Sequence, residues 1–129
     1  METNSNYKIK DVTVTTNGRN ELYFHINWEG DRNLDYYELR IWESDQDNCL
    51  ELCPYASHDQ LITVKDFYFL KNWKSKEVNK ETFYIELGIP DYSDDGKLLS
   101  WEVMASYEPI ELNLYYEFHI FRKNVLEKR

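Results

Sequence analysis

Leu22, Phe24, Ile26 and Trp28 occupy every second position of the chain, with Tyr23, His25 and Asn27 between them. Successive side chains of a pleated ribbon leave opposite faces, so this alternation predicts a strand with one face in a core. Tyr37, Leu39 and Ile41 repeat the pattern against Tyr36, Glu38, Arg40 and Trp42, and Phe83, Ile85, Leu87 and Ile89 repeat it against Tyr84 and Glu86. Weaker strand signals run from Tyr7 to Thr15, Gln60 to Leu70, Leu98 to Ala105 and Ile110 to Arg122, where β-branched and aromatic residues gather. Asn17-Gly18 and the stretch Glu29 to Asp35 supply turn residues, and Lys71 to Lys80 follows neither period and reads as a loop. Leu114, Phe118, Phe121 and Val125 also satisfy helical spacing, but the surrounding aromatic residues favour a strand there. Seven or eight short strands with no long helical period between them predict an all-β fold, an antiparallel β-sandwich. With no repeat or linker, residues 1–129 are expected to form one domain with its core within about 7–122.

Three features resemble a fibronectin type III or related immunoglobulin-like domain. They are a Trp ending an early alternating strand (Ile26-Asn27-Trp28), the aromatic strand Tyr36 to Trp42, and Phe83 to Leu87 followed by an acidic hairpin from Asp91 to Gly96. The likeness spans roughly residues 7–110. It implies a spacer or binding module without catalysis. This chain departs from the family pattern at Phe83, where a tyrosine would bond back to the backbone, and in the extra strand signal after Pro109.

Composition adds one constraint and one hint. Fifteen Lys and Arg stand against 24 Asp and Glu, a formal charge of -9, so the mean field repels nucleic acid and anionic membranes. No apolar run approaches the length of a membrane span, and the first residues carry no secretion signal, which leads to the expectation of a soluble, cytoplasmic protein. The hint is the aromatic content of eleven Tyr, six Phe and four Trp. On the inward pattern above, Tyr23, Tyr36, Trp42 and Tyr84 fall on outer faces, and Trp73 sits among Lys71, Lys74, Lys76 and Lys80. Outward aromatics are enriched at interfaces because they bury much area for little lost rotamer freedom, so these five residues form the candidate binding surface. The alternative is that part of the chain covers them as a second small core.

Other chemistry is thin. Asp91, Ser93, Asp95 and Glu102 stand at positions one, three, five and twelve of a calcium-loop spacing, with Gly96 at six. Gly88 and Pro90 precede that loop after a strand-like run, so Asp94-Asp95-Gly96 reads more simply as a hairpin turn with Gly at positive φ. No metal or other cofactor is expected. Cys49, Cys53 and His58 offer three soft ligands at most, where structural zinc takes four, so the thiols read as ordinary packing. No nucleophile motif occurs, and acids such as Glu38 and Glu43 read as solvated. The sequence therefore points to a non-catalytic module that binds another protein or itself, ahead of a carbohydrate-binding module and a small hydrolase.

Overall fold

The computed structural model describes residues 6–16, 21–43, 49–65 and 80–113. Eight strands cover most of them: β1 Lys8–Thr16, β2 Leu22–Glu29, β3 Glu38–Trp42, β4 Cys49–Pro54, β5 Asp59–Val64, β6 Lys80–Tyr92, β7 Leu98–Ser106 and β8 Ile110–Asn113. All pairings are antiparallel, in a three-strand sheet ordered β1-β2-β5 and a five-strand sheet ordered β4-β3-β6-β7, with β8 also paired to β6. The all-β antiparallel sandwich expected from the alternation is the fold of the chain.

The predicted inward positions meet in one core. Phe24, Ile26, Leu39, Ile41, Phe83, Ile85 and Leu87 are fully buried. Phe24 of one sheet meets Phe83 of the other edge to face at 5.4 Å, and Trp28 meets Tyr37 at 5.8 Å. Each polar handle is satisfied, as burial of an indole or phenol requires. Trp28 Nε1 donates to the Ser57 carbonyl at 2.7 Å, and Tyr37 Oη donates to the Ala56 carbonyl at 2.8 Å. Phe83 leaves no hydroxyl at its place in the core, so the phenol that ties the core to a backbone carbonyl is that of Tyr37.

Three expectations are corrected. Cys49–Pro54 is a strand that the alternation did not reveal. The segment expected from Gln60 to Leu70 ends at Val64 within the described residues, and only Ile110–Asn113 of the last expected strand lies within them. Finally, β8 does not extend the sheet sideways. Glu86 pairs with Ser106, Tyr107 N–H donates to the Ile85 carbonyl at 3.1 Å, and Phe83 pairs with Ile110. Antiparallel pairing thus continues along one edge of β6 with a one-residue shift in register, and β8 follows the path of β7 past a break at Pro109, which cannot donate to a ladder. Asn17-Gly18, most of Lys71 to Lys80, and the helix-or-strand question beyond Asn113 lie outside the described residues.

Candidate functional site

The outer face of the five-strand sheet carries a buried polar network that the sequence placed in solvent. Alternation sends Glu38, Arg40 and Trp42 of β3 away from the core, yet their exposures are only 1%, 4% and 7%. The reason lies on β6 and β7. Gly88 is the cross-strand partner of Glu38, and Trp101 folds back over that glycine. A Cβ at Gly88 would stand 2.7 Å from a Trp101 ring carbon and 2.6 Å from the Glu102 carbonyl oxygen, so only Gly permits this approach. Trp101 is fixed there by its Nε1, which donates to Glu86 at 2.7 Å. The Arg40 guanidinium then lies 4.7 Å from the Trp101 ring and 5.2 Å from the Trp42 ring, and the two indoles meet edge to face at 6.0 Å.

A buried charge is tolerable only when paired and hydrogen-bonded, and here every acceptor position of the Glu38 carboxylate is taken. Glu38 Oε1 accepts from Arg40 Nε at 2.8 Å and faces Arg40 Nη2 at the same distance. Glu38 Oε2 accepts from the Tyr36 and Tyr92 hydroxyls, both at 2.6 Å, and Arg40 Nη2 also donates to Tyr92 Oη at 2.8 Å. Burial, then the bond to Glu38, pushes the Tyr36 phenol well above its ordinary range. Tyr92 moves the same way for the same leading cause, against the pull of Arg40. Burial alone would lower the pKa of Arg40, but Glu38, Cys49 and Tyr92 together outweigh it and the net direction is up.

A tyrosine whose pKa is raised in the folded state contributes stability that is complete below its unfolded value and is lost as pH rises through the folded one. Stability should therefore fall as pH climbs above about 10. Tyr36→Phe is expected to be less stable than the wild type at neutral pH but to lose less between about pH 9 and pH 11, as read by thermal melts across that range.

The sequence-predicted surface is brought together in part. Tyr36, Trp42 and Tyr84 lie on this outer face, with Tyr84 directly opposite Trp42, and both tyrosines are half-buried. Trp42 is covered, which corrects its expected exposure. Tyr23 belongs to the other sheet, where its hydroxyl donates to Glu21 at 2.6 Å, and Trp73 lies outside the described residues. What the sequence reading missed is Trp101, Tyr92, Tyr55 and the ion pair. Exposed apolar side chains complete the face: Leu52 opposite Arg40, Val103 opposite Gly88, and Tyr92.

The remaining candidates are less organised. Ser93 to Lys97 close the hairpin between β6 and β7, with Gly96 at φ 88° and bonds from Ser93 N–H to the Lys97 carbonyl and from Gly96 N–H to the Ser93 carbonyl. The Ser93 hydroxyl bonds Asp95 and holds its carboxyl below the usual range. Glu102 stands along β7 opposite Ile89, so the calcium spacing spans a hairpin flanked by strands. A register shift after Ile41 puts Cys49 opposite Trp42 and Cys53 opposite Leu39, on the other face, and both thiols are free. Burial pushes both thiols up. Among the described residues no three His, Cys, Asp or Glu side chains gather as a metal site. On the three-strand sheet, His25 and Asp59 pair at 2.8 Å in a shallow polar recess of about 400 Å³. Both side chains there are mostly exposed and no Phe, Tyr or Trp lines the recess.

Comparison with known proteins adds little to this geometry. No protein-family model matches the chain, and no curated protein does. Among solved structures, the chain is similar to the rat CD45 extracellular region, domains d3-d4, at a TM-score of 0.40 and 11% identity over 81% of this chain. The chain spans about half of that one, 48% of its length. That neighbour is an extracellular region, which runs against the cytoplasmic address expected above. The expectation is withdrawn, because a β-sandwich of this kind carries nothing in its packing that ties it to the cytoplasm. The resemblance to fibronectin type III and immunoglobulin-like domains stands as a resemblance of fold.

Proposed function

We propose that this chain is a non-catalytic β-sandwich module that binds another protein through the outer face of its five-strand sheet. One observation supports the reading above the rest: Tyr36, Tyr92, Trp42 and Trp101 are locked around the Glu38–Arg40 pair, while Leu52, Tyr92 and Val103 remain exposed beside them. Interface hot spots are Trp, Tyr and Arg set in well-packed surroundings, and rings already fixed by hydrogen bonds lose little freedom on binding. The carboxylate at the centre has all its acceptor positions occupied and lies out of reach of a substrate, which weighs against the hydrolase reading.

Co-purification from the native source, followed by light scattering, tests the proposal and reports self-association as well. A partner should remain with Leu61→Ser, a change on the opposite sheet, and be lost from the double variant Leu52→Ser, Val103→Ser. A lone monomer, or a partner lost equally from both variants, contradicts it.

A further inference from the structure

Tyr55 is the described residue with positive φ that is not glycine, at 54°. Left-handed backbone is strained for a bulky side chain, and such strain persists only where the surroundings enforce it. They do so here. Tyr55 N–H donates to the Tyr37 carbonyl at 3.0 Å, and its hydroxyl donates to the Asp35 carbonyl at 2.8 Å. Its ring stands edge to face against Tyr36 at 5.2 Å and Tyr37 at 5.7 Å, yet the residue is 52% exposed. A strained turn therefore presents a fixed aromatic ring to solvent.

That ring extends the network into a row. Tyr36 lies between Tyr55, which it touches ring to ring, and Tyr92, with which it shares Glu38 Oε2; Tyr92 is itself 39% exposed. All three hydroxyls donate within the protein, and that of Tyr92 also accepts from Arg40. What the row offers a ligand is ring surface, whose negative face attracts cations. The balance of charge is acidic. Glu38 and Arg40 cancel each other, and Asp35, whose carbonyl takes the Tyr55 hydroxyl, is exposed in a chain of net charge -9, while Arg32, bonded to the Tyr37 hydroxyl, keeps its positive charge.

We infer that the row Tyr55, Tyr36, Tyr92 is the contact for an arginine or lysine side chain of the partner protein, with Tyr55 as its exposed anchor. The inference rests on the protein-binding reading and names the chemistry of that partner. A purely acidic surface would also attract basic peptides, so the test has to move the ring and leave the charge untouched.

The probe is a capped heptapeptide of alternating Gly and Arg, titrated into the whole chain and followed by amide chemical shifts. Its control is the same peptide with citrulline, which keeps the shape and removes the charge. The arginine peptide should shift the amides around Tyr36, Tyr55 and Tyr92, and the citrulline peptide should bind several-fold more weakly. Tyr55→Gly suits the backbone angle, removes the ring and leaves the net charge unchanged. It should weaken the arginine peptide roughly three- to tenfold with a melting temperature within about 4 °C of the wild type. Tyr55→Asn, also tolerant of this conformation, should do the same. Equal affinity for arginine and citrulline peptides, unchanged affinity in both variants, no binding of the arginine peptide, or unfolding of both variants overturns the inference. The co-purification experiment does not involve this peptide, so failure here leaves the protein-binding reading to stand or fall on its own result.

Discussion

Replacing Trp28 by Ala should lower the free energy of unfolding by about 3 to 5 kcal/mol, enough to leave a domain of ordinary stability close to unfolding at 37 °C. Trp28 is 2% exposed, packs edge to face on Tyr37 at 5.8 Å and on His58 at 4.6 Å, and donates its Nε1 to the Ser57 carbonyl. Truncation opens a cavity between the two sheets and leaves that carbonyl without its indole donor, and both effects add to the lost transfer energy. Chemical denaturation with matched slopes gives the value. Trp42 supplies the contrast. Its ring is also buried, but its Nε1 makes no hydrogen bond among the described residues. Trp42→Phe should therefore cost clearly less than Trp28→Phe, since the first change removes a donor with no partner and the second removes one that is used. Equal losses would contradict the placement of these two rings.

The second large effect concerns the ion pair. Glu38→Leu is expected to destabilise by about 3 to 5 kcal/mol, because it leaves Arg40 charged and buried with two phenols short of an acceptor. Arg40→Met removes the cation and should cost a similar amount for the mirrored reason. The double variant Glu38→Leu, Arg40→Met removes both charges at similar volume and should recover much of the loss, since a buried pair is often no more stable than well-packed apolar residues. Denaturation of the four proteins forms a double-mutant cycle. Additive losses, with no recovery in the double variant, would show that the two groups do not form a buried pair.

The inner half of this molecule was legible in the sequence and the outer half was not. Period two places side chains on a face, so Phe24, Leu39 and Ile85 could be assigned to the core from their own neighbours. The same rule placed Glu38, Arg40 and Trp42 on the opposite face correctly, but it says nothing about whether that face is covered. Their cover comes from Trp101, some sixty residues along the chain, and no local pattern reports a contact at that distance. One signal was present: Gly88 interrupts a strand of bulky residues, and a glycine inside a strand often marks the close approach of another group. Strand β4 was hidden because Cys49-Leu50-Glu51-Leu52-Cys53-Pro54 lacks β-branched residues and its register shifts at one end. Tyr55 could not be read as special, since a positive φ at a tyrosine is imposed by tertiary contacts and has no signature in the residue itself.

The claim that joins these observations is that Arg40 is clamped in a dry network on the outer face of the five-strand sheet. The side-chain Nε–H of Arg40 tests it most directly, by nitrogen-edited nuclear magnetic resonance near neutral pH. The account predicts one arginine Nε–H that resists exchange with water, shows contacts to the Trp42 and Trp101 rings, and disappears in Glu38→Ala. Rapid exchange at every arginine, with no ring contacts, would contradict it.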